Sequence, residues 1–124
     1  MTTLETNSLV LAYLGDSVYE IYVRLYLIKG GINHVKELQE HSLEYVSAKS
    51  QARILRDLIN QDFFSDTELE IIKRARNSKT NSHPKNTDII TYKEATSLEA
   101  LIGYLKLENN IERIEELMNK ILNN

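Results

Sequence analysis

SLVLAYLGDSVYEIYVRLYLIKGG, residues 8–31, sets apolar side chains at three- and four-residue intervals as far as a glycine pair, the period of an α-helix. Gly30–Gly31 supplies the backbone freedom that a helix end wants, so the stretch predicts a helix from about Ser8 to Ile28. Inside it stands a carboxylate, Asp16, with Glu20 one turn on, and like charges at that spacing repel by a few tenths of a kcal/mol. Asp16, Glu20 and Arg24 share one helix face, and the plainer explanation is a solvated stripe with Glu20 paired to Arg24 and Asp16 merely exposed. Two features weigh against it. Leu9 to Leu14 leave hardly any polar surface beside Asp16, and Gly15 costs about 1 kcal/mol relative to Ala in mid-helix, a cost commonly kept where something must come close.

The three- and four-residue period continues along the chain, and no strand-like alternation is long enough to compete with it, so the fold class is all-α, with about six to seven helices. A short helix is expected near Val35–His41, with His34 and His41 at helix boundaries. Another is expected from about Leu43 to Asn60, turning Leu43, Val46, Ile54, Leu55 and Leu58 inward. Ser65-Asp66-Thr67-Glu68 reads as a capping box that starts a helix running to about Asn77. NSKTNSHPKNTD, residues 77–88, is the one extended loop, and residues 78–87 are expected to be mobile without a ligand. The helical pattern returns from about Ile90, and a last amphipathic helix runs from Asn110 to about Leu122.

The 124 residues suit a single domain, 1–124, and the absence of cysteine removes disulfides and thiolate metal sites. MTTLETNS lacks a signal-peptide pattern, and TNSLVLAYLG is about half of the roughly twenty residues that a bilayer needs; a soluble cytoplasmic protein with no membrane association is expected. The net charge of −3 hides an asymmetry. Residues 71–87 carry Lys73, Arg74, Arg76, Lys79 and Lys85 and no acid. Setting these five aside leaves 10 of the 15 basic residues against all 18 acidic ones, a balance of −8 elsewhere. The helix dipole favours cations at a helix C-terminus and accounts for part of the cluster; an acidic body with one basic strip remains.

Glu99 stands in SLEALIGYL, where Leu98, Leu101, Ile102 and Leu105 form a core stripe and Thr96, Glu99 and Gly103 a narrower, small or polar face. A lone Glu on a helix is usually surface decoration. Paired across helices with Asp16, it would make a site for a hard divalent cation such as Mg²⁺. The three histidines lack metal-ligand spacing, and there is no nucleophile elbow, no cysteine and no phosphate-binding glycine loop. Tyr13, Tyr19, Tyr22 and Tyr26 fall in the first helix, where core or interface burial is expected rather than base stacking.

LAYLGDSVYE at 11–20 and TSLEALIGYL at 96–105 together resemble the Leu-Gly-Asp signature and the later Glu-Ala-Leu-Ile-Gly motif of the ribonuclease III catalytic domain. YVSAKSQARIL at 45–55, RARNSK at 74–79 and PKNTDIITYKEATSLEALIGYL at 84–105 resemble more closely its Mini-ribonuclease III branch, which consists of this domain alone. The resemblance covers nearly the whole chain and accounts for the lack of any sequence for a double-stranded-RNA-binding domain. By position it makes Asp16 and Glu99 the catalytic metal ligands. Two other acids of larger family members are replaced by Ala12 and Thr96, and Glu20 becomes a candidate accessory group.

The resemblance implies Mg²⁺-dependent hydrolysis of double-stranded RNA to 5′-phosphate and 3′-hydroxyl ends, with Mn²⁺ as a substitute metal. It further implies a homodimer, a precursor of large-subunit (23S) ribosomal RNA as the substrate, and compatibility with a ribosomal protein that presents it. Lys73, Arg74, Arg76, Lys79 and Lys85 then become phosphate contacts, with Asn77, Ser78 and Asn86 as lesser ones. The competing readings are a non-catalytic helical RNA-binding module, which needs the basic strip but not the paired carboxylates, and a structural helical dimer.

Overall fold

The computed structural model describes residues 2–3, 6–78, 85 and 87–123. These form six α-helices and no strand: α1 (Ser8–Lys29), α2 (Val35–Val46), α3 (Ala48–Asn60), α4 (Asp66–Arg76), α5 (Ile89–Leu107) and α6 (Ile111–Leu122). None is long and apolar enough, among the described residues, to cross a membrane.

Most ends are set by caps that the sequence announces. The Asn7 side chain accepts from Leu9 N–H to open α1, and the chain leaves the helix through Gly31 at φ +105°, which favours glycine. At α4 the capping box is complete in both directions, Ser65 Oγ accepting from Glu68 N–H and Glu68 accepting from Ser65 N–H.

The break between α2 and α3 differs from the sequence expectation. It falls at Ser47, not near Ser42, and two hydroxyls decide it. Ser42 Oγ donates back to the Gln39 carbonyl and stays within α2, whereas Ser47 turns extended and its Oγ accepts from Ser50 N–H as the cap of α3. His41 therefore lies inside α2, while His34 does sit at its N-terminal boundary. Leu43, expected inward, is 58% exposed; Leu55 and Leu58 are buried as expected.

α5 is the central element, buried on most of its circumference from Glu94 to Leu105, and it packs against α1, α3, α4 and α6. Tyr19, Val23, Leu55, Leu58, Ile71, Ile72, Leu98, Leu101, Ile102, Leu105, Leu117 and Met118 belong to the main core. Polar ties clamp the periphery. Tyr19 Oη donates to the Tyr45 carbonyl at 2.7 Å, joining α1 to α2, and Arg56 pairs with Glu94 at 3.0 Å, joining α3 to α5. Arg113 of α6 grips Glu68 through two nitrogens, donates to the Phe63 carbonyl and lies over the Phe63 ring at 4.3 Å. Of the α1 tyrosines only Tyr19 is fully buried, and Tyr13 is 85% exposed.

Candidate active site

The site is made by the crossing of α1 and α5, and two glycines allow it. A methyl group on Gly15 would overlap the carbonyl oxygen of Glu99, and one on Gly103 would overlap the carbonyl oxygen of Leu11. Each glycine therefore seats the other helix's backbone. Asp16 follows Gly15, and Glu99 lies one turn before Gly103, so backbone contact itself brings the two carboxyl groups within hydrogen-bond reach of each other.

They face a cleft of about 480 Å³ whose walls include Ala12, Tyr13, Val46, Ala48, Gln51, Tyr92 and Thr96. Asp16 is exposed at its mouth and Glu99 is half-buried. Burial, foremost, then the hydrogen bond with Asp16 and the charge repulsion from it push the Glu99 carboxyl up to about 9, Glu20 adding to the push; a hydrogen bond from Gln51 pulls the other way. Among the described residues no Lys or Arg is hydrogen-bonded to either carboxylate. Two acids held together with no Lys or Arg partner among the described residues form an oxygen donor pair that suits a hard divalent metal ion. The described residues contain no group of three acidic or histidine side chains placed to share a metal, so water and substrate oxygens would complete the coordination.

The remaining sequence candidates are placed unevenly. Glu20 pairs with Arg24 at 2.9 Å, as the plain stripe explanation has it, and reaches the acidic pair only through its field. Lys73, Arg74, Asn77 and Ser78 line a groove of about 580 Å³ with Glu70 and Ile71, and Arg76 and Lys85 are exposed. Arg74 is partly committed, donating to the Thr6 carbonyl at 3.0 Å. Lys79 and Asn86, together with most of the loop expected to be mobile, lie outside the described residues. Ala75 of α4 packs with Leu11, Ala12 and Ala100, which brings the basic end of α4 against the same α1–α5 crossing that carries the acidic pair. Gln51, which the sequence reading passed over, donates through Nε2 to Glu99 Oε2 at 3.4 Å and is buried.

The Ribonuclease III domain family matches residues 9–110. Proteins named Mini-ribonuclease 3 are similar along most of their length. That of Staphylococcus aureus is 47% identical over 116 residues, covering 94% of this chain and 87% of the relative. That of Brevibacillus brevis is 47% identical over 113 residues (91% and 83%), and that of Streptococcus pneumoniae 39% over 112 residues (90% and 88%). A crystal structure of a Fusobacterium nucleatum protein superposes with a TM-score of 0.88 at 32% identity, covering all of both chains. The resemblance carried by the LGD and EALIG motifs thus holds across nearly the whole chain.

Proposed function

The chain belongs to the ribonuclease III family and is an endoribonuclease acting on double-stranded RNA, and on that premise we propose that Asp16 and Glu99 are its catalytic carboxylates. The observation that carries this is their meeting across the α1–α5 crossing with no basic partner among the described residues. They would hold a divalent cation, Mg²⁺ with Mn²⁺ as a substitute, and such a cation, when bound, supplies a water of lowered pKa and offsets charge on the leaving oxygen.

The chain's own residues do the rest. Gly15 and Gly103 fix the approach of the two helices that carry the carboxylates, and Gln51 orients Glu99. Lys73, Arg76 and Lys85, with Arg74, Asn77 and Ser78 in the α4 groove, bind phosphates of the duplex beside the cleft, where recognition is largely by shape. Lys79 and Asn86 extend the same basic strip in sequence. The water oxygen joins phosphorus as the bond to the 3′ oxygen breaks, and that oxygen takes a proton, giving a 5′-phosphate and a 3′-hydroxyl. The functional unit is one ribonuclease III domain, 1–124, paired with a second copy, since cutting both strands of a duplex calls for two symmetry-related sites. Its substrate is a precursor of large-subunit ribosomal RNA in the cytoplasm, with a ribosomal protein as a compatible presenting partner.

The test is cleavage of a labelled stem from that precursor by the wild type and Asp16→Asn, with Mg²⁺ and with EDTA. Defined 5′-phosphate ends that need both Asp16 and metal support the assignment. Equal RNA binding by both proteins with no cleavage of this stem or of a long generic duplex would leave a non-catalytic RNA-binding module instead.

A further inference from the structure

We propose that Gln51 is a positioning residue of the metal site: it holds the Glu99 carboxylate in one rotamer so that its second oxygen is presented, with Asp16, to the cation. The inference rests on the assignment of Asp16 and Glu99 above and adds a residue from a third helix.

Three features carry it. Gln51 is 3% exposed, yet it lies on the wall of the cleft, which Ala48 and Glu99 also line. Its amide donates to one Glu99 oxygen, Oε2, and accordingly leaves Oε1 to turn elsewhere. The backbone beneath it is fixed as well. Gln51 N–H donates to the Ser47 carbonyl at 2.9 Å, Ser47 caps the helix through Ser50 N–H, and Ser50 Oγ donates to the Leu43 carbonyl at 3.2 Å. The α2–α3 break at Ser47 thus has a consequence at the site, because it sets where on α3 the amide emerges.

A glutamine suits the task. It is neutral at every pH and gives a carboxylate a donor without neutralising it, so the pair keeps its negative charge for the metal, as an Arg or Lys in the same place would not allow. A carboxylate ligand free to rotate must lose that freedom when the metal binds, and a partner that pre-sets its rotamer removes part of the loss. Outer partners of this kind are commonly worth about 10- to 100-fold in metal affinity or activity. At 3.4 Å the bond is long for its class, so the lower end, about tenfold, is expected.

The test compares wild type, Gln51→Leu, Gln51→Glu and Glu99→Gln. Mn²⁺ binding is read by electron paramagnetic resonance, RNA binding in Ca²⁺ by filter retention, melting in EDTA by circular dichroism, and cleavage against Mg²⁺ concentration. Gln51→Leu keeps the volume and removes the donor. It should weaken Mn²⁺ binding about tenfold, move the Mg²⁺ half-saturation point of cleavage upward by a similar factor and recover most of the wild-type rate at high Mg²⁺, with RNA affinity unchanged. A purely structural role would lower the melting temperature and the rate together, and added metal would restore neither.

Should Gln51→Leu fold poorly, Gln51→Glu decides. It keeps the shape but sets a third carboxylate against Glu99, so cleavage that demands at least as much Mg²⁺ as in the wild type supports the proposal, whereas a lower demand makes residue 51 a direct ligand and overturns it. Mn²⁺ affinity of Gln51→Leu within twofold of wild type, while Glu99→Gln has lost binding, also overturns it and leaves the carboxylate site standing. Full Mn²⁺ binding by Glu99→Gln overturns the carboxylate site itself.

Discussion

Gly15→Ala separates a helix held by backbone contact from an ordinary one. Alanine is favoured over glycine within a helix by about 1 kcal/mol, so on an exposed helix the substitution would stabilise. At Gly15 the new methyl would overlap the Glu99 carbonyl oxygen and lie 2.7 Å from its carbon and 2.8 Å from Gly103 N, against ordinary carbon contacts of roughly 3.5–4.0 Å. Neither neighbour is a flexible side-chain end, and α1 and α5 must part by roughly 1 Å or more. Overpacking costs about 1–3 kcal/mol, and overlap with backbone belongs at the upper end; after the propensity gain the loss is about 2 kcal/mol. With an unfolding entropy of about 2.1 cal/mol/K per residue, a chain of 124 residues loses about 4 °C per kcal/mol, so the melting temperature should fall by about 8 °C.

The same separation moves Asp16 away from Glu99, and a misplacement of about 1 Å commonly costs about 100-fold in rate. Melting by circular dichroism and single-turnover cleavage of duplex RNA measure the two effects. Gly30→Ala is the control. Gly30 sits at φ −77°, and an added methyl would meet the Tyr26 and Leu27 carbonyls at an ordinary 3.4 Å, so stability and cleavage should survive. A Gly15→Ala protein that melts at or above the wild type and cleaves normally would refute the backbone crossing as the basis of the site.

The Glu99 carboxyl, about 4.5 in the unfolded chain and about 9 in the folded one without metal, loses its proton first when unfolded, so metal-free stability should fall as pH rises between those values. Glu99→Gln in EDTA should therefore melt above the wild type at pH 8 and close to it at pH 4.5; parallel melting curves across pH would sink the argument. Arg113→Ala removes two of the three donors that hold Glu68, whose side chain is 8% exposed, leaving only the Ser65 N–H, and should cost about 2–3 kcal/mol in urea denaturation, with Arg113→Lys restoring little because it cannot make the paired contact. Replacing Lys73 and Arg76 by Ala should reduce the slope of log affinity for duplex RNA against log salt by about two, and an unchanged slope would remove both from the phosphate contacts.

The helix ends were legible where a cap has one local solution. Ser65 with Glu68, Asn110 before α6 and Gly30–Gly31 after α1 each leave the chain little alternative. The α2–α3 break was not, because Ser42 and Ser47 are both good cap residues, and which hydroxyl turns back into its own helix depends on what the next turn packs against. Asp16 and Glu99 were conspicuous as charges within apolar helices. Gln51 was not, since an amide belongs to no catalytic motif. Its signal was positional: it shares the buried stripe of α3 with Leu55 and Leu58, and a polar side chain on such a stripe calls for a partner.

That the site consists of neighbours of glycines follows from how two helices can be held at a fixed separation. One backbone contact leaves the pair free to pivot, whereas two contacts a turn apart on each helix fix distance and crossing angle together. Leu11 and Gly15 on α1 meet Gly103 and Glu99 on α5 in that reciprocal way, so main-chain atoms set the separation of the two Cα positions from which the carboxylates extend, and only the side-chain rotamers are left to be fixed. Ala12, Ala75 and Ala100 continue the small-residue contact and let the basic end of α4 close on the same crossing. An apolar helix can therefore carry Asp16 at a cost of a few tenths of a kcal/mol in repulsion from Glu20. The close approach that Gly15 permits puts a second carboxylate opposite it, and among the described residues no Lys or Arg pairs with either, which is the arrangement that the proposed metal assignment draws on.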